Sequence, residues 1–473
     1  GRKTIYATRT HEQVRQVLRE VEQINKKSGA NFSAVALASR QNLCLNDACR
    51  RLSSIEATAV CKALRKKRKC PYKYEFDETI SSLPLILPAA RLVRLGKRRR
   101  LCPYFLARKA AETRSVVVAP YQYIFNEKIR AHVNLEIGGK ILVFDEAHNA
   151  DKIGQEALSD TLSERGLNNA KRELQLVGVP SAFIEDLGDY LEKNVSAEPA
   201  VKSGAEFLQD LRQILGEDLS FFADAFTPIV EEIRDYKIEH EQVPLCYLNG
   251  VINFLSMVGS SENESYVAVY RRSRQGLNLI EYHCLDPSLA IKPVIEQAYA
   301  ALIMSGTLSP IKLFTETLCL HGAETRAYSA IAQRENVRTF LDTSVTTKFE
   351  ERNPEMTRLY GERIGRLMKK VPNGALIFFP QRKFMMEALE TWRKSSFVQK
   401  KSNDLFINEK KVFIEGEQAS ENAEIVDEYK KNARTPEGAV LFAVFRGRNA
   451  EGSNFPYEEA RGIFLVGLPY ADY

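Results

Sequence analysis

Nowhere in the 473 residues do apolar side chains run on for the ~18 positions that a membrane-spanning helix needs. No membrane partner is therefore expected. The opening stretch, Gly1-Arg2-Lys3-Thr4-Ile5-Tyr6-Ala7-Thr8, lacks the hydrophobic segment that comes after the charges of a signal peptide. It reads as a strand, so the sequence is expected to open inside a domain. There is no fixed-period repeat and no low-complexity tract, which excludes solenoids and linker-like disorder. No cysteine pair has C-x-x-C spacing, which argues against a zinc ribbon. Also missing is G-x-x-x-x-G-K-[ST], the loop that cradles the β- and γ-phosphates of a nucleotide.

The chain is 44% hydrophobic and 27% charged, a globular composition, and long enough for two to four domains. Its net charge of +6 is unevenly spread. Positions 62–109 hold 15 Lys/Arg against 3 Asp/Glu, and positions 156–285 hold 22 Asp/Glu against 11 Lys/Arg. A basic block of that density suits a polyanion, although a solvated face has the same composition. The acidic block carries helical spacing at Phe207, Leu208, Leu211, Ile214 and Leu215 and is expected to form a separate helical domain.

Five of the eight cysteines, Cys44, Cys49, Cys61, Cys70 and Cys102, fall within the basic region or just before it. That clustering disfavours a disulfide framework. The spacings of 17, 9 and 32 along Cys44, Cys61, Cys70 and Cys102 leave an iron–sulfur cluster, zinc and plain buried thiols open.

The most informative segment is Ile141-Leu142-Val143-Phe144-Asp145-Glu146-Ala147-His148. Four apolar residues read as a buried parallel strand. It delivers two carboxylates and a histidine to its C-terminal end, where open α/β sheets bind ligands. Asp145 there suits Mg²⁺, and Glu146 suits a water nucleophile, a pairing fitted to phosphoryl transfer. Other strands are expected at 4–7, 34–38, 116–119, 300–304, 375–379, 411–414, 439–444 and 462–465. A helix with Val14, Val17, Leu18 and Val21 on one face comes after the first. The alternation indicates doubly wound sheets.

Several blocks, in order, resemble the XPD family of superfamily 2 helicases. They are Thr8-Arg9-Thr10-His11; the DEAH box Asp145-Glu146-Ala147-His148; Met304-Ser305-Gly306-Thr307-Leu308-Ser309-Pro310, similar to motif III; and Leu376 to Pro380, similar to motif IV. Phe445 to Phe455 resembles motif V, with Val466-Gly467-Leu468-Pro469-Tyr470 after it. Ser39 to Cys44 and Cys102 to Arg108 resemble the edges of the family's iron–sulfur domain. The resemblance implies an α/β fold of two RecA-like motor domains, the first with a cysteine-rich iron–sulfur insertion and a helical arch insertion. The first motor would comprise 1–38, 111–155 and 286–332, the cluster domain 39–110, the arch 156–285 and the second motor 333–473.

The same resemblance implies roles for single residues. Cys44, Cys61, Cys70 and Cys102 would hold a 4Fe–4S cluster, with Cys49 spare and a swap of Cys49 for Cys61 the main risk. Asp145 would hold Mg²⁺, Glu146 would place the water, and His148 would link that site to Ser305, Gly306 and Thr307, which couple nucleotide state to DNA grip. Glu451 and Gly452 would face the ATP from the second motor. Arg9, Thr10, Arg40, Tyr104, Arg108, Arg446 and Arg448 would contact DNA, the arginines through phosphate and the tyrosine by stacking. The implied activity is ATP-dependent, 5′-to-3′ movement on single-stranded DNA that unwinds forks as a monomer, alongside repair or transcription-complex proteins. The implied location is nuclear in a eukaryote and cytoplasmic in a prokaryote. Two departures stand against it: Walker A and the family's motif VI do not occur in these residues. By themselves they are expected not to hydrolyse ATP, and a non-hydrolysing single-strand-binding fragment or scaffold is the alternative.

Overall fold

The computed structural model describes residues 2–50, 52, 54–76, 82–216, 219–273, 275–329, 334–451 and 453–468. The chain divides into two compact units, 1–326 and 327–473. The strands of the first unit are β1 (Thr4–Thr8), β2 (Ala34–Ala36), β3 (Ile86–Leu87), β4 (Val116–Pro120), β5 (Ile141–Asp145), β6 (Asp160–Ser163), β7 (Ala200–Ser203), β8 (Tyr266–Arg272), β9 (Asn278–Cys284) and β10 (Ala300–Met304).

Six of them form one parallel sheet, ordered β10-β5-β1-β4-β2-β3. Its central strands carry Ile5, Ala7, Val117, Ala119, Leu142 and Phe144, all buried, as a sheet covered on both faces requires. The register pairs Met304 with Asp145 and Ala7 with Phe144, so the C-terminal ends of β10, β5 and β1 lie side by side. The helix His11–Ser28 packs Val14, Leu18 and Val21 against the sheet. Thr10 caps it: the Thr10 hydroxyl accepts from Gln13 N–H, and the Gln13 side chain accepts from the Thr10 backbone. This capping box satisfies two N–H groups that a helix start leaves without partners.

The cysteine-rich insertion is mostly helical, with Ser54–Lys66 and Ala89–Arg99 as its longest elements before Pro103–Thr113 leads towards β4. The acidic insertion departs from the all-helical expectation. It contains an antiparallel sheet ordered β6-β9-β8-β7. Tyr266, Ala268 and Tyr270 alternate inward on β8, as do Ile280, Tyr282 and Cys284 on β9. That is strand periodicity, which the local charge balance does not disclose. The helices Glu164–Leu176 and Leu219–Glu239 meet through a buried pair, with Lys237 Nζ 2.5 Å from Glu173 Oε1.

In the second unit β11 (Gly374–Phe379), β12 (Val398–Lys401), β13 (Asp404–Ile407), β14 (Lys410–Ile414), β15 (Ala439–Val444) and β16 (Gly462–Leu465) form a sheet ordered β12-β13-β14-β15-β11-β16. The last four in that order run parallel, and β12 and β13 extend the edge antiparallel. Trp392 is fully buried against Phe379 and Phe442. Its indole N–H donates to the Thr357 carbonyl at 2.6 Å, so its one polar atom is satisfied.

Candidate functional site

β5 ends on Asp145, and the backbone turns at once. Glu146 has φ of 55°, a left-handed conformation that costs energy in a non-glycine residue and concentrates at functional sites. Asp145 is held from three sides. Tyr6 O–H donates to Oδ2 at 3.2 Å, Glu146 N–H to Oδ1 at 3.0 Å, and Tyr121 O–H to the Asp145 carbonyl at 2.7 Å. Burial first, and then the Asp145 charge, push the phenols of Tyr6 and Tyr121 above their ordinary value of 10. Both remain protonated donors at neutral pH. Neither was expected as a site residue, because a tyrosine on a strand resembles any core aromatic.

Beyond Asp145 a polar chain joins the DEAH segment to the residues after β10. His148 Nδ1 lies 2.8 Å from Ser305 Oγ and 3.3 Å from Glu146 Oε2. The Ser305 hydroxyl donates to Glu146 Oε2 at 3.3 Å and accepts from Thr307 N–H at 3.3 Å. On the other side of the ring, the Asn149 amide donates to His148 Nε2 at 2.8 Å and to the Glu146 carbonyl at 3.3 Å. Nε2 is thus the acceptor. The assignment that satisfies every partner is the neutral imidazole with its proton on Nδ1, facing Ser305 and Glu146. The structure therefore brings Asp145, Glu146, His148, Ser305 and Thr307 together, with Gly306 in the turn between. Asn149 belongs with them and was not anticipated.

Cys44, Cys49, Cys61, Cys70 and Cys102 line one small void of about 10 Å³, room for about one water. All are free thiols. Cys49 donates to Cys44, which holds the Cys44 thiol down at about 6 and the Cys49 thiol up. Burial pushes Cys102 up to about 11. No group of three metal-binding side chains lies close enough for one ion among the described residues. A cubane is larger than an ion and takes thiolates spread more widely, so the donor set itself is the better guide. It consists of soft thiols walled by Tyr72, Tyr74 and Phe105. Arg65 lines the void, and Arg40 bonds the Cys61 side chain. Two guanidinium groups would offset thiolate charge, so the residues fit an iron–sulfur cluster.

A larger cavity of about 500 Å³ lies between the cysteine-rich lobe, the sheet unit and the acidic insertion. Arg40, Lys62, Lys66, Lys128, His132 and Arg234 line it. One wall is an ionic contact between lobes: Lys62 Nζ is 3.0 Å from Glu231, Lys66 pairs with Asp235, and Lys67 bonds the Ile238 carbonyl. Tyr104 reaches this cavity but is only 5% exposed, with Arg40 over one face at 4.1 Å and Phe105 edge-on. One face of the ring is thus taken up by Arg40. Arg108 lies towards Phe105 and Tyr104 and is not among the residues lining this cavity. Thr10 spends its hydroxyl on the helix cap, beside Arg9 at the end of β1.

In the second unit Arg446 and Arg448 are exposed on the loop after β15, and Arg446 is left-handed at φ 58°. Buried Glu415 anchors that loop. Its carboxylate accepts from Val444 N–H at 3.0 Å, Asn449 N–H at 3.2 Å and the Asn449 side chain at 3.1 Å. Glu451 closes the short helix Arg448–Glu451. Gly452 lies outside the described residues, as do positions 469 and 470.

The DEAD_2 family model matches residues 6–167, and a Helicase C-terminal domain model matches residues 364–473. The chain belongs to the XPD family of superfamily 2 helicases. It is 26% identical to the regulator of telomere elongation helicase 1 homolog of Caenorhabditis briggsae, over 98% of this chain and 56% of that protein. It is 25% identical to the general transcription and DNA repair factor IIH helicase subunit XPD of Arabidopsis thaliana, over 99% and 74%, and 27% identical to the ATP-dependent DNA helicase CHL1 of Scheffersomyces stipitis, over 98% and 62%. A solved XPD helicase shares the fold, with a TM-score of 0.57 at 18% identity over 99% of this chain and 77% of that one. The chain spans little more than half the length of the first relative. With one parallel sheet, a second that is parallel but for its β12–β13 edge, and the XPD likeness, the expected α/β class of two RecA-like domains with insertions is borne out.

Proposed function

We propose that the polypeptide carrying this chain is an ATP-dependent DNA helicase. It moves along single-stranded DNA, 5′-to-3′, and unwinds forked duplexes in repair or related DNA metabolism. The observation that carries the reading is the chain of hydrogen bonds from Glu146 through His148 and Ser305 to Thr307. It joins two segments more than 150 residues apart at the sheet end where ligands bind. In that reading Asp145, oriented by Tyr6, holds Mg²⁺. Glu146 positions the attacking water. His148 and Ser305 report the state of that carboxylate to the segment after β10. Glu451 and Gly452 are assigned to the nucleotide as well.

Cys44, Cys61, Cys70 and Cys102 would hold a 4Fe–4S cluster, which would brace the lobe where the strands part. Arg9, Arg40, Arg108, Arg446 and Arg448, with Thr10 and Tyr104 in supporting positions, would grip DNA through phosphate, without reading sequence. The domain limits given by the sequence are part of the same proposal, as are action as a monomer, contacts with repair or transcription-complex proteins, and a location wherever the chromosome lies.

The test is ATP hydrolysis by the full polypeptide with and without single-stranded DNA, with Glu146→Gln as the control. Stimulated turnover that the control loses is expected. No turnover by a polypeptide that holds a complete phosphate loop would sink the motor reading and leave a single-strand-binding scaffold. Substrates with a single 5′ or 3′ tail decide the polarity.

A further inference from the structure

Five thiols line the small void of the cysteine-rich lobe, but a 4Fe–4S cluster takes four, one for each iron. On the assignment proposed above, Cys49 is left over. A small buried thiol can serve as plain core packing, and Cys49 does pack beside Ala57 and Leu52. Packing does not explain where its sulfur points. It donates to the sulfur of Cys44, one of the four proposed ligands. Other thiols of the void have other neighbours: Cys61 bonds the Arg40 side chain, and Cys102 the backbone of Tyr104 and Phe105.

The local backbone holds the pair together. Cys44 N–H donates to the Arg40 carbonyl at 2.7 Å, at the end of the helix Arg40–Leu43. Cys49 N–H donates to the Asn46 carbonyl at 3.0 Å, within the helical turn Asp47–Arg50. Between them Asn46 Oδ1 accepts from Ala48 N–H at 3.0 Å, an Asx turn. The two sulfurs therefore meet across one short turn. Their exposures differ: Cys44 is half-buried, and Cys49 is only 1% exposed. An oxidant in solvent reaches Cys44 first and finds Cys49 behind it.

We propose that Cys49 is a resolving thiol for Cys44, closing a reversible disulfide with it when a peroxide reaches the lobe before a cluster is in place. This rests on the proposed function only for the assignment of the four ligand cysteines. The Cys44 sulfur attacks hydrogen peroxide and breaks its O–O bond, giving a sulfenic acid and one water. The Cys49 sulfur then displaces the hydroxyl, which leaves with the thiol proton as a second water, and the S–S bond forms. Peroxide takes up two electrons, and the two thiols lose them. Without Cys49 the sulfenic acid has no thiol in contact and is carried on to the sulfinic acid, which a thiol reductant does not reverse. The disulfide thus preserves a ligand, and while it lasts the lobe cannot be loaded.

The test uses the full polypeptide, freed of iron by a chelator under anaerobic conditions, exposed to hydrogen peroxide, then unfolded and alkylated. Trypsin cuts after Arg40 and Arg50, so both sulfurs leave on one peptide, 41–50. That peptide is expected without alkyl labels and lighter than its dithiol by two hydrogens. After a dithiol reductant, iron and sulfide, the unaltered chain should regain most of its absorbance near ~400 nm. Cys49→Ala, which keeps the packing, should load fully before peroxide. After peroxide it should recover less than about a fifth, with two oxygens added at Cys44. An alkyl label on Cys49 of the peroxide-treated chain overturns the inference. Cys44 joined to Cys61, Cys70 or Cys102 does so too, as does equal recovery by the variant. The peptide measurement needs no variant and carries the test if Cys49→Ala fails to fold. A folded Cys49→Ala chain that takes up no iron before peroxide would make Cys49 a ligand, which sinks the ligand assignment and the inference with it.

Discussion

Replacing Glu173 by alanine removes one carboxylate that fastens two segments of the acidic insertion. Its Oε1 takes Lys237 at 2.5 Å, and its Oε2 takes Leu248 N–H at 2.9 Å and the Cys246 thiol at 3.6 Å. The side chains of Glu173 and Lys237 are 3% and 11% exposed, so water cannot replace the lost partner. Breaking a buried pair from one side costs about 3–5 kcal/mol, because a charge is left unpaired. The Leu248 N–H left without its acceptor adds to this, though not additively. A loss of about 4 kcal/mol is therefore expected, confined to the insertion. Hydrogen exchange in urea should show early opening of residues 164–176 and 219–260. Fluorescence of Trp392, the single tryptophan, buried in the second unit, should report an unchanged transition there. Glu173→Leu with Lys237→Met removes both charges and should recover most of the loss. A single variant within about 1 kcal/mol of the parent, or a double variant no better than the single, would refute this account.

Three further outcomes are expected. Ser305→Ala in the full polypeptide removes the hydroxyl between His148 and Glu146 and should lower kcat for DNA-stimulated hydrolysis about 10–100-fold, with KM for ATP little changed; a rise in KM alone would contradict the coupling role. Serine at Cys44, Cys61, Cys70 or Cys102 should abolish absorbance near ~400 nm and bound iron, whereas Cys49→Ser should keep about four irons per chain; iron lost from Cys49→Ser and kept in Cys61→Ser would reverse that assignment. The hydrogen bond from Arg271 holds the Glu281 carboxyl below its ordinary value of 4.5, so its stabilisation is present above that value and lost as pH falls through the lower folded one. The pair is part-exposed, so the effect is under about 1 kcal/mol; Glu281→Gln should flatten acid unfolding of the insertion below pH 4.5, and an unchanged pH profile would count against it.

The parallel strands were legible because burial on both faces leaves a near-continuous apolar run: Ile141 to Phe144 and Ala439 to Val444 declare themselves without any tertiary information. The hairpin of β12 and β13 did not, since Val-Gln-Lys-Lys and Asp-Leu-Phe-Ile lie at an edge with mixed polarity. β8 and β9 alternate plainly, but their tyrosines sit in a stretch whose charge and helical spacing point to helices. At Tyr104 the residue type suggested stacking, and packing adds what the ring meets within the fold: Arg40 lies over one face.

The site residues that sequence missed share one property: each is the tertiary partner of a residue that sequence found. Tyr6 matters because the β1–β5 register sets it two positions back from the level of Asp145, close enough for its phenol to reach Oδ2. Asn149 matters because its amide reaches back over one turn to both the Glu146 carbonyl and His148 Nε2. Glu415 matters because β14 lies beside β15 and delivers a buried carboxylate to the loop after it. A charged motif advertises chemistry through its residue types. Its supports are ordinary residue types whose meaning comes from register and burial. A tyrosine or asparagine one strand or one turn away therefore carries no local signal, yet it orients the Asp145 carboxylate and the His148 ring. Precision at the DEAH segment thus depends on sheet register as much as on the four residues that name it.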